Sequence, residues 1–210
     1  MSGKRIVLVG GGGHCRSVIG LFRDATQELH GILDPAIVGN VLGIPVLGGD
    51  ERIPELAGLG HPFVVTAGHV RDAALRIGLC TAIMDAGGTL ATILAPTGTV
   101  VKGATIGEGT TVGHGAVVNS NGRIGTNCII NTRALVEHDA LIGDHVHIAT
   151  GAIVNGHCTV GKGTLIGSGA VVLQGVRIGE GCIIGAGSVV IRDVADGTTV
   201  AGVPAKPLKR

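Results

Sequence analysis

One apolar, mostly β-branched position returns every sixth residue from Val100 to Val190. The series runs Val100, Ile106, Val112, Val118, Ile124, Ile130, Val136, Ile142, Ile148, Val154, Val160, Ile166, Val172, Ile178, Ile184 and Val190. On an α-helix a step of six rotates the side chain away from any single face, so no amphipathic helix explains the pattern. A flat strand of that length is excluded as well. A short fixed period sustained this long marks a solenoid. The flanking positions agree. The residue two before each apolar one is small, as at Ala104, Thr110, Ala116, Cys128, Ala134, Ala140, Ala152, Cys158, Thr164, Ala170, Cys182 and Ser188. A branched residue and a small one together would fill a narrow prism. The residue after each apolar one is often Gly or Asn, including Gly107, Gly125, Gly143, Gly161, Asn119, Asn131 and Asn155. These types accept φ > 0 at low cost, so the expectation is that they form the corners.

Composition supports a thin core. Aromatic residues are 1% of the 210, with no Trp or Tyr, while hydrophobic residues are 45%. Gly is 39 of 210, which would suggest disorder were it not periodic. The net charge of +1 gives no reason to expect nucleic acid or an anionic membrane as partner. No apolar run approaches the length of a membrane span, and the start MSGKRIVLVG lacks the architecture of a signal peptide, so a cytoplasmic protein is expected. Cys128, Cys158 and Cys182 fall at the small inward position and read as core; Cys80, at the end of a helix, reads the same way.

Residues 1–95 are not periodic. Lys4–Val9 reads as a strand, Gly10–Gly13 as a turn, and His14, Cys15 and Arg16 open a helix expected to reach about Arg23. Strand, glycine turn and helix form a phosphate-binding arrangement. The dinucleotide fingerprint is incomplete, because Cys15 stands where its last glycine belongs. A second strand, His30–Leu33, ends in Asp34, which is placed either to accept from a sugar hydroxyl or to stand as a turn residue before Pro35. Pro and Gly turns punctuate residues 35–61. Pro62–Ala67 is a third strand, residues from Val70 through about Met84 a helix, and Thr89–Leu94 a last strand. This alternation predicts a small Rossmann-like parallel α/β domain over 1–95, with the solenoid over 96–210. Gly12, Gly13, His14, Asp34, Gly68 and His69 would then lie at the carboxyl ends of strands, where such sheets bind ligands.

The repeat resembles the hexapeptide-repeat acyltransferases, and the tail Gly202-Val203-Pro204-Ala205-Lys206 resembles their GVPAK ending. The resemblance implies an all-β left-handed parallel β-helix with three hexapeptides per triangular coil. Residues eighteen apart then stack at about the strand spacing of 4.8 Å. In Asn131-Thr132-Arg133-Ala134-Leu135-Val136-Glu137-His138-Asp139, Val136 points inward, so His138 lies at or beside a corner, next to Ser120 and Gly156. Asp139 stacks over His157. A carboxylate near an imidazole fixes its tautomer and raises its basicity. The glycine at Gly156 leaves room beside the ring.

A glycine-rich α/β domain followed by this solenoid, with Glu137-His138-Asp139 in its middle, is similar over essentially the whole chain to sugar N-acetyltransferases acting on nucleotide-linked amino sugars, and to sialic acid O-acetyltransferases. Carried over, His138 is the general base and Asp139 its acidic partner, where many relatives have Glu. His147, Gly156, Ser168 and Ala186 would bind acetyl-CoA; Gly12, Gly13, His14, Asp34 and Gly68 would hold the nucleotide-sugar. The resemblance also implies a homotrimer with acetyl-CoA in the groove between subunits. Lys206, Lys209 and Arg210 would either meet a phosphate of coenzyme A or form a solvated basic end. Direct transfer from the thioester needs no nucleophilic Cys and no metal.

Three other readings stand beside this one. A metal-dependent lyase like the γ-class carbonic anhydrases needs converging histidines, and no pair here has the His-x4-His spacing. His114, His145 and His157 read as exposed surface. A non-catalytic nucleotide-sugar-binding scaffold is the second, and O-acetylation of serine or another free amino acid the third, against which the strand–glycine–helix N-terminal domain speaks. Which nucleotide, which sugar, and N- against O-acetylation stay open at this stage.

Overall fold

The computed structural model describes residues 4–208; Lys209 and Arg210 of the basic tail lie outside the described residues. The chain forms two compact units, Met1–Gly68 with Ala74–Ile93, and His69–Ala73 with Leu94–Arg210.

The first unit is α/β. Its elements are β1 (Ile6–Val9), α1 (Gly13–Ile19), α2 (Ala25–Glu28), β2 (Leu29–Leu33), β3 (Asn40–Val41), β4 (Ile44–Gly48), a 3-10 turn over Asp50–Arg52, α3 (Ile53–Gly58), β5 (Pro62–Val65), α4 (Ala74–Asp85) and β6 (Thr89–Leu90). The sheet order is β3-β4-β2-β1-β5-β6, parallel except for the β3–β4 hairpin. The central strand is β1, and Val7, Leu8 and Val9 are fully buried. A parallel strand covered on both faces reads as a continuous apolar run, which is how IVLV reads. Val7, Val9, Leu33, Leu56, Phe63, Val65 and Ile83 share one core. The helix after the glycine turn is shorter than the sequence suggests, because Gly20 closes it after seven residues. The segment 70–73, expected to be helical, is not; α4 begins at Ala74.

The second unit is the left-handed parallel β-helix. Two-residue rungs stack in parallel at eighteen-residue intervals on three faces. One face carries Thr111, Ile129, His147, Leu165 and Ile183 outward. The second carries Val117, Leu135, Ile153, Val171 and Val189. The third carries Thr105, Arg123, Leu141, Thr159 and Arg177. The inward residues form one continuous core with Ala116, Cys128, Ala134, Ala140, Ala152, Cys158 and Ala170. Removing a buried branched side chain such as Ile130 from such a core costs about 2–5 kcal/mol. The coil outlasts the hexad: Val194 bridges Ile178, Thr199–Ala201 adds to Ile183–Ile184, and Lys206–Pro207 turns back antiparallel on Thr199–Ala201.

The corners depart from expectation. Left-handed backbone falls three residues after the inward one, at Gly109, Gly115, Asn121, Asn127, Arg133, Asp139, His145, Gly151 and His157 among others. The glycines directly after the inward residue have ordinary φ and are needed for space instead. Gly107, Gly125, Gly143, Gly161 and Gly179 form a column in which an added Cβ would sit 2.5 Å from Gly125 C at Gly107 and 2.6 Å from Gly179 C at Gly161. Coils stacked at strand spacing bring backbone against backbone there, and only hydrogen fits between them. The non-glycine corners matter for the site, since an L-residue in left-handed backbone costs about 1–2 kcal/mol. Among the described residues no helix is long and apolar enough to cross a membrane.

Candidate active site

His138 follows inward Val136 and leaves the second face at a corner. Its Nδ1 lies 2.9 Å from Asp139 Oδ2. A carboxylate oxygen accepts, so Nδ1 carries the hydrogen and Nε2 keeps its lone pair. Among the described residues Nε2 has no hydrogen-bond partner. The backbone is held as well: His138 N donates to Glu137 Oε2 at 3.1 Å, and Asn119 Nδ2 donates to the same oxygen at 3.0 Å. Gly156 lies directly beneath the ring, where an added Cβ would be 2.6 Å from both Cε1 and Nε2. The side chains of His138 and Asp139 are 45% and 37% exposed, so a substrate can reach the unshared nitrogen. Hydrogen bonds from His138 and then Asn121 hold the Asp139 carboxyl below its ordinary range. His157 stands edge-on to His138, ring centroids 5.2 Å apart.

His147 is a different kind of histidine. It is 8% exposed on the first face. Its Nδ1 lies 3.1 Å from the His69 carbonyl oxygen, and Asn131 Nδ2 lies 3.2 Å from Nε2. The carbonyl only accepts and the amide only donates, so the ring is the neutral Nδ1–H tautomer with both nitrogens engaged. The His69 ring lies edge-on at 5.5 Å. His69, expected among the ligand candidates at the carboxyl ends of the strands, packs against this face of the second unit instead. Its segment His69–Ala73 belongs to that unit because it crosses this face rather than extending α4. His147 lines a cavity of about 370 Å³ together with Val70, Asn131, Ala149, Thr150, Leu165, Gly167, Ser168 and Ala186. Three of the four residues assigned to acetyl-CoA, His147, Ser168 and Ala186, thus share one cavity. Gly156 does not line it, and lies with His138.

In the first unit the strand ends gather the remaining candidates. Gly12 and Gly13 are exposed, with open space where a side chain would be. An added Cβ on Gly68 would meet His14 Cβ at 3.3 Å. Asp34 is already engaged: Oδ2 accepts from Gly11 N at 2.7 Å, and Oδ1 accepts from Ala36 N and Ile37 N at 2.9 and 3.1 Å. It braces the glycine turn. Thr66 Oγ1 holds the same turn at the Gly10 carbonyl, 2.5 Å away. Cys15 is fully buried, and burial pushes its thiol up to about 11. All five cysteines are buried.

The sequence does not single out Asn131, Asn121 or the His69–Ala73 segment, and it reads His157 as surface. Asn121 and His157 were within reach, because each lies eighteen residues, one coil, from Asp139. Nothing in the sequence placed 69–73 on the solenoid.

The fold is that of the bacterial hexapeptide transferases. The profile described as "Bacterial transferase hexapeptide (six repeats)" matches residues 157–192, and the one described as "PglD N-terminal domain" matches residues 5–71. Comparison with curated proteins finds no match. Among solved structures, a point mutant of perosamine N-acetyltransferase from Caulobacter crescentus, in complex with CoA and GDP-perosamine, is 35% identical. Its TM-score is 0.91, and the match covers 98% of this chain and 97% of that one. The acetyltransferase domain of PglB from Neisseria gonorrhoeae, in complex with acetyl coenzyme A, is 35% identical at a TM-score of 0.90, covering 98% and 100%. WeeI from Acinetobacter baumannii is 28% identical at 0.88, covering 98% and 100%. The chain belongs to the hexapeptide-repeat sugar acetyltransferases that carry a PglD-type N-terminal domain.

Proposed function

We propose that the protein transfers the acetyl group of acetyl-CoA to the amino group of a GDP- or UDP-linked 4-amino-deoxy sugar, in the making of a bacterial surface polysaccharide or glycan. The observation that carries this is the His138 ring, tied at Nδ1 to Asp139 and unshared at Nε2 above Gly156. The similar structures hold CoA with GDP-perosamine, and acetyl coenzyme A, respectively. The sugar nitrogen attacks the thioester carbonyl carbon while His138 Nε2 takes its proton. The C–N bond forms, the C–S bond breaks, and the thiolate of coenzyme A leaves, with no acyl-enzyme. A positioned base of this kind contributes about 10²–10⁴-fold, and holding both substrates together adds to it.

His147, Ser168 and Ala186 line the acetyl-CoA site, and Gly156 keeps the space beside the base open to the thioester. Gly12, Gly13, His14, Asp34 and Gly68 hold the nucleotide-sugar, with Asp34 chiefly shaping the turn. The active assembly is a homotrimer. Its support is the second face, where Val117, Leu135, Ile153, Val171 and Val189 make a half-buried aliphatic ladder, with Leu173 and Ile191 exposed at 42% and 43% beside it. A ladder of that length open to water on a single chain favours burial against another copy.

The test is thiol release from acetyl-CoA with a panel of GDP-, UDP- and dTDP-linked 4-amino sugars and sialic acid. Release with a nucleotide-linked amino sugar, lost in His138→Asn, is expected. Release with sialic acid alone would overturn the amine as acceptor. Full release by His138→Asn would favour a binding scaffold beside some other catalyst.

A further inference from the structure

We infer that Asn121 and His157 are positioning residues that hold the Asp139 carboxylate from the coils on either side and so set the orientation of His138; this rests on the reading of His138 as the base. Residues 103, 121, 139, 157 and 175 form one corner column at coil spacing. Gly103 and Gly175 fill its ends, with φ of 94° and 76°. Asn121, Asp139 and His157 fill its middle, each with φ of 58°. Glycine is the low-cost residue for that backbone. Three consecutive coils therefore forgo it only where the column passes the imidazole. Asn127 and His145 pair in the same way at a neighbouring corner, 3.0 Å apart, with no carboxylate between them.

The contacts give the middle column its role. Asp139 Oδ1 accepts from Asn121 Nδ2 at 3.2 Å. Asp139 Oδ2 takes His138 Nδ1 at 2.9 Å and has His157 Nε2 at 3.8 Å. One oxygen is thus pinned by the coil before, which leaves the other aimed at the base, with the coil after closing the far side. Asp139 is half-exposed, and a short carboxylate in that setting would otherwise rotate freely and let the imidazole turn with it. The Asn121 amide also contributes to holding the Asp139 carboxyl below its ordinary range. The titratable groups of the corner are His138, Asp139, His157 and Glu137, whose Oε2 takes His138 N.

Left-handed backbone supplies the control. Asn121→Gly and His157→Gly remove the side chains at positions where glycine is conformationally welcome, so the fold should hold or gain in Tm. Steady-state kinetics with acetyl-CoA and the acceptor found by the panel, Tm, and NMR of the His138 ring nitrogens against pH would be measured on wild type, both variants, the double variant and His157→Gln. We expect kcat to fall about tenfold in each single variant, the low end of what orienting partners contribute, with both KM values unchanged. The acid limb of the profile should move to lower pH in Asn121→Gly, because an imidazole that loses its aligned carboxylate is less basic, and His157→Gln, which keeps a polar side chain of similar reach, should recover most of the loss. His138 ring signals should lose their single Nδ1–H tautomer in both glycine variants. Wild-type kcat, profile and ring signals in the double variant would overturn the inference. If wild type transfers no acetyl group, it is the proposed function that fails. The ring signals then decide the clamp by themselves: unchanged signals refute it and a lost tautomer sustains it.

Discussion

His138 and His147 are nine residues apart on the same coil, and they occupy opposite kinds of surroundings. The first is half-exposed, bonded through one nitrogen to a carboxylate, with the other nitrogen open above a glycine. The second is buried, with one nitrogen on a carbonyl and the other on an amide. A proton acceptor needs an unshared lone pair and a neighbour that stabilises the cation it becomes. Only the corner histidine has both. The face histidine has no nitrogen to spare and serves as a wall of the cavity. The same residue type in the same repeat thus stands either with an open nitrogen or with both nitrogens engaged, according to what the adjacent coils present, and the proposed base is the open one.

The sharpest way to break this contrast is His138→Asn, which should lower kcat about 10²–10⁴-fold with Tm unchanged, read by thiol release and thermal melting. Gly156→Val comes next. Its added carbon would occupy the place of the His138 ring, so kcat should fall about a hundredfold while the core holds, as other displacements of about 1 Å at a reacting group do. His147→Ala should act on the other axis, raising KM for acetyl-CoA about tenfold and leaving kcat within a few fold, since a lining residue contributes to binding rather than to the step. An equal loss of kcat in both histidine variants would erase the distinction between them.

The dependence on pH sharpens it further. The Asp139 carboxyl is depressed below its ordinary value by its hydrogen bonds, so the carboxylate it offers His138 is complete above that ordinary value and is lost only as pH falls through the depressed one. Asp139 therefore stays ionised across the region near pH 6.5 where imidazoles titrate. The acid limb of kcat/KM should fall with a slope of one proton, and a slope of two would show Asp139 titrating alongside the base. The smallest effect is expected at Cys15. A buried thiol raised to about 11 carries almost no thiolate at pH 8, so iodoacetamide should leave both labelling and activity of the native protein unchanged.

The first unit is legible in the sequence only in outline. Strand β1 and the glycine turn were legible because a buried parallel strand and a Gly run leave local marks. The sequence places the first helix through about Arg23 and the next from Val70, whereas Gly20 closes the one and the other begins at Ala74. The sequence places Asp34 either as a sugar ligand or as an exposed turn residue. In the fold it accepts three backbone N–H groups, a role that depends on a turn twenty-three residues away.

By itself the sequence determined the solenoid and its inward residues, because a period of six sustained over sixteen positions fits no helix or flat strand, and the family resemblance added the eighteen-residue coil register that ties position to spatial neighbour. That register was enough to set His138 beside Gly156 and Asp139 over His157. Only the tertiary structure decided why each glycine is there, since φ > 0 and backbone crowding demand the same residue and differ only in three dimensions. It alone turned one histidine into a lone-pair donor and the other into a sealed wall, because the hydrogen bonds that fix a tautomer come from a coil, a carbonyl or a segment that no local spacing announces.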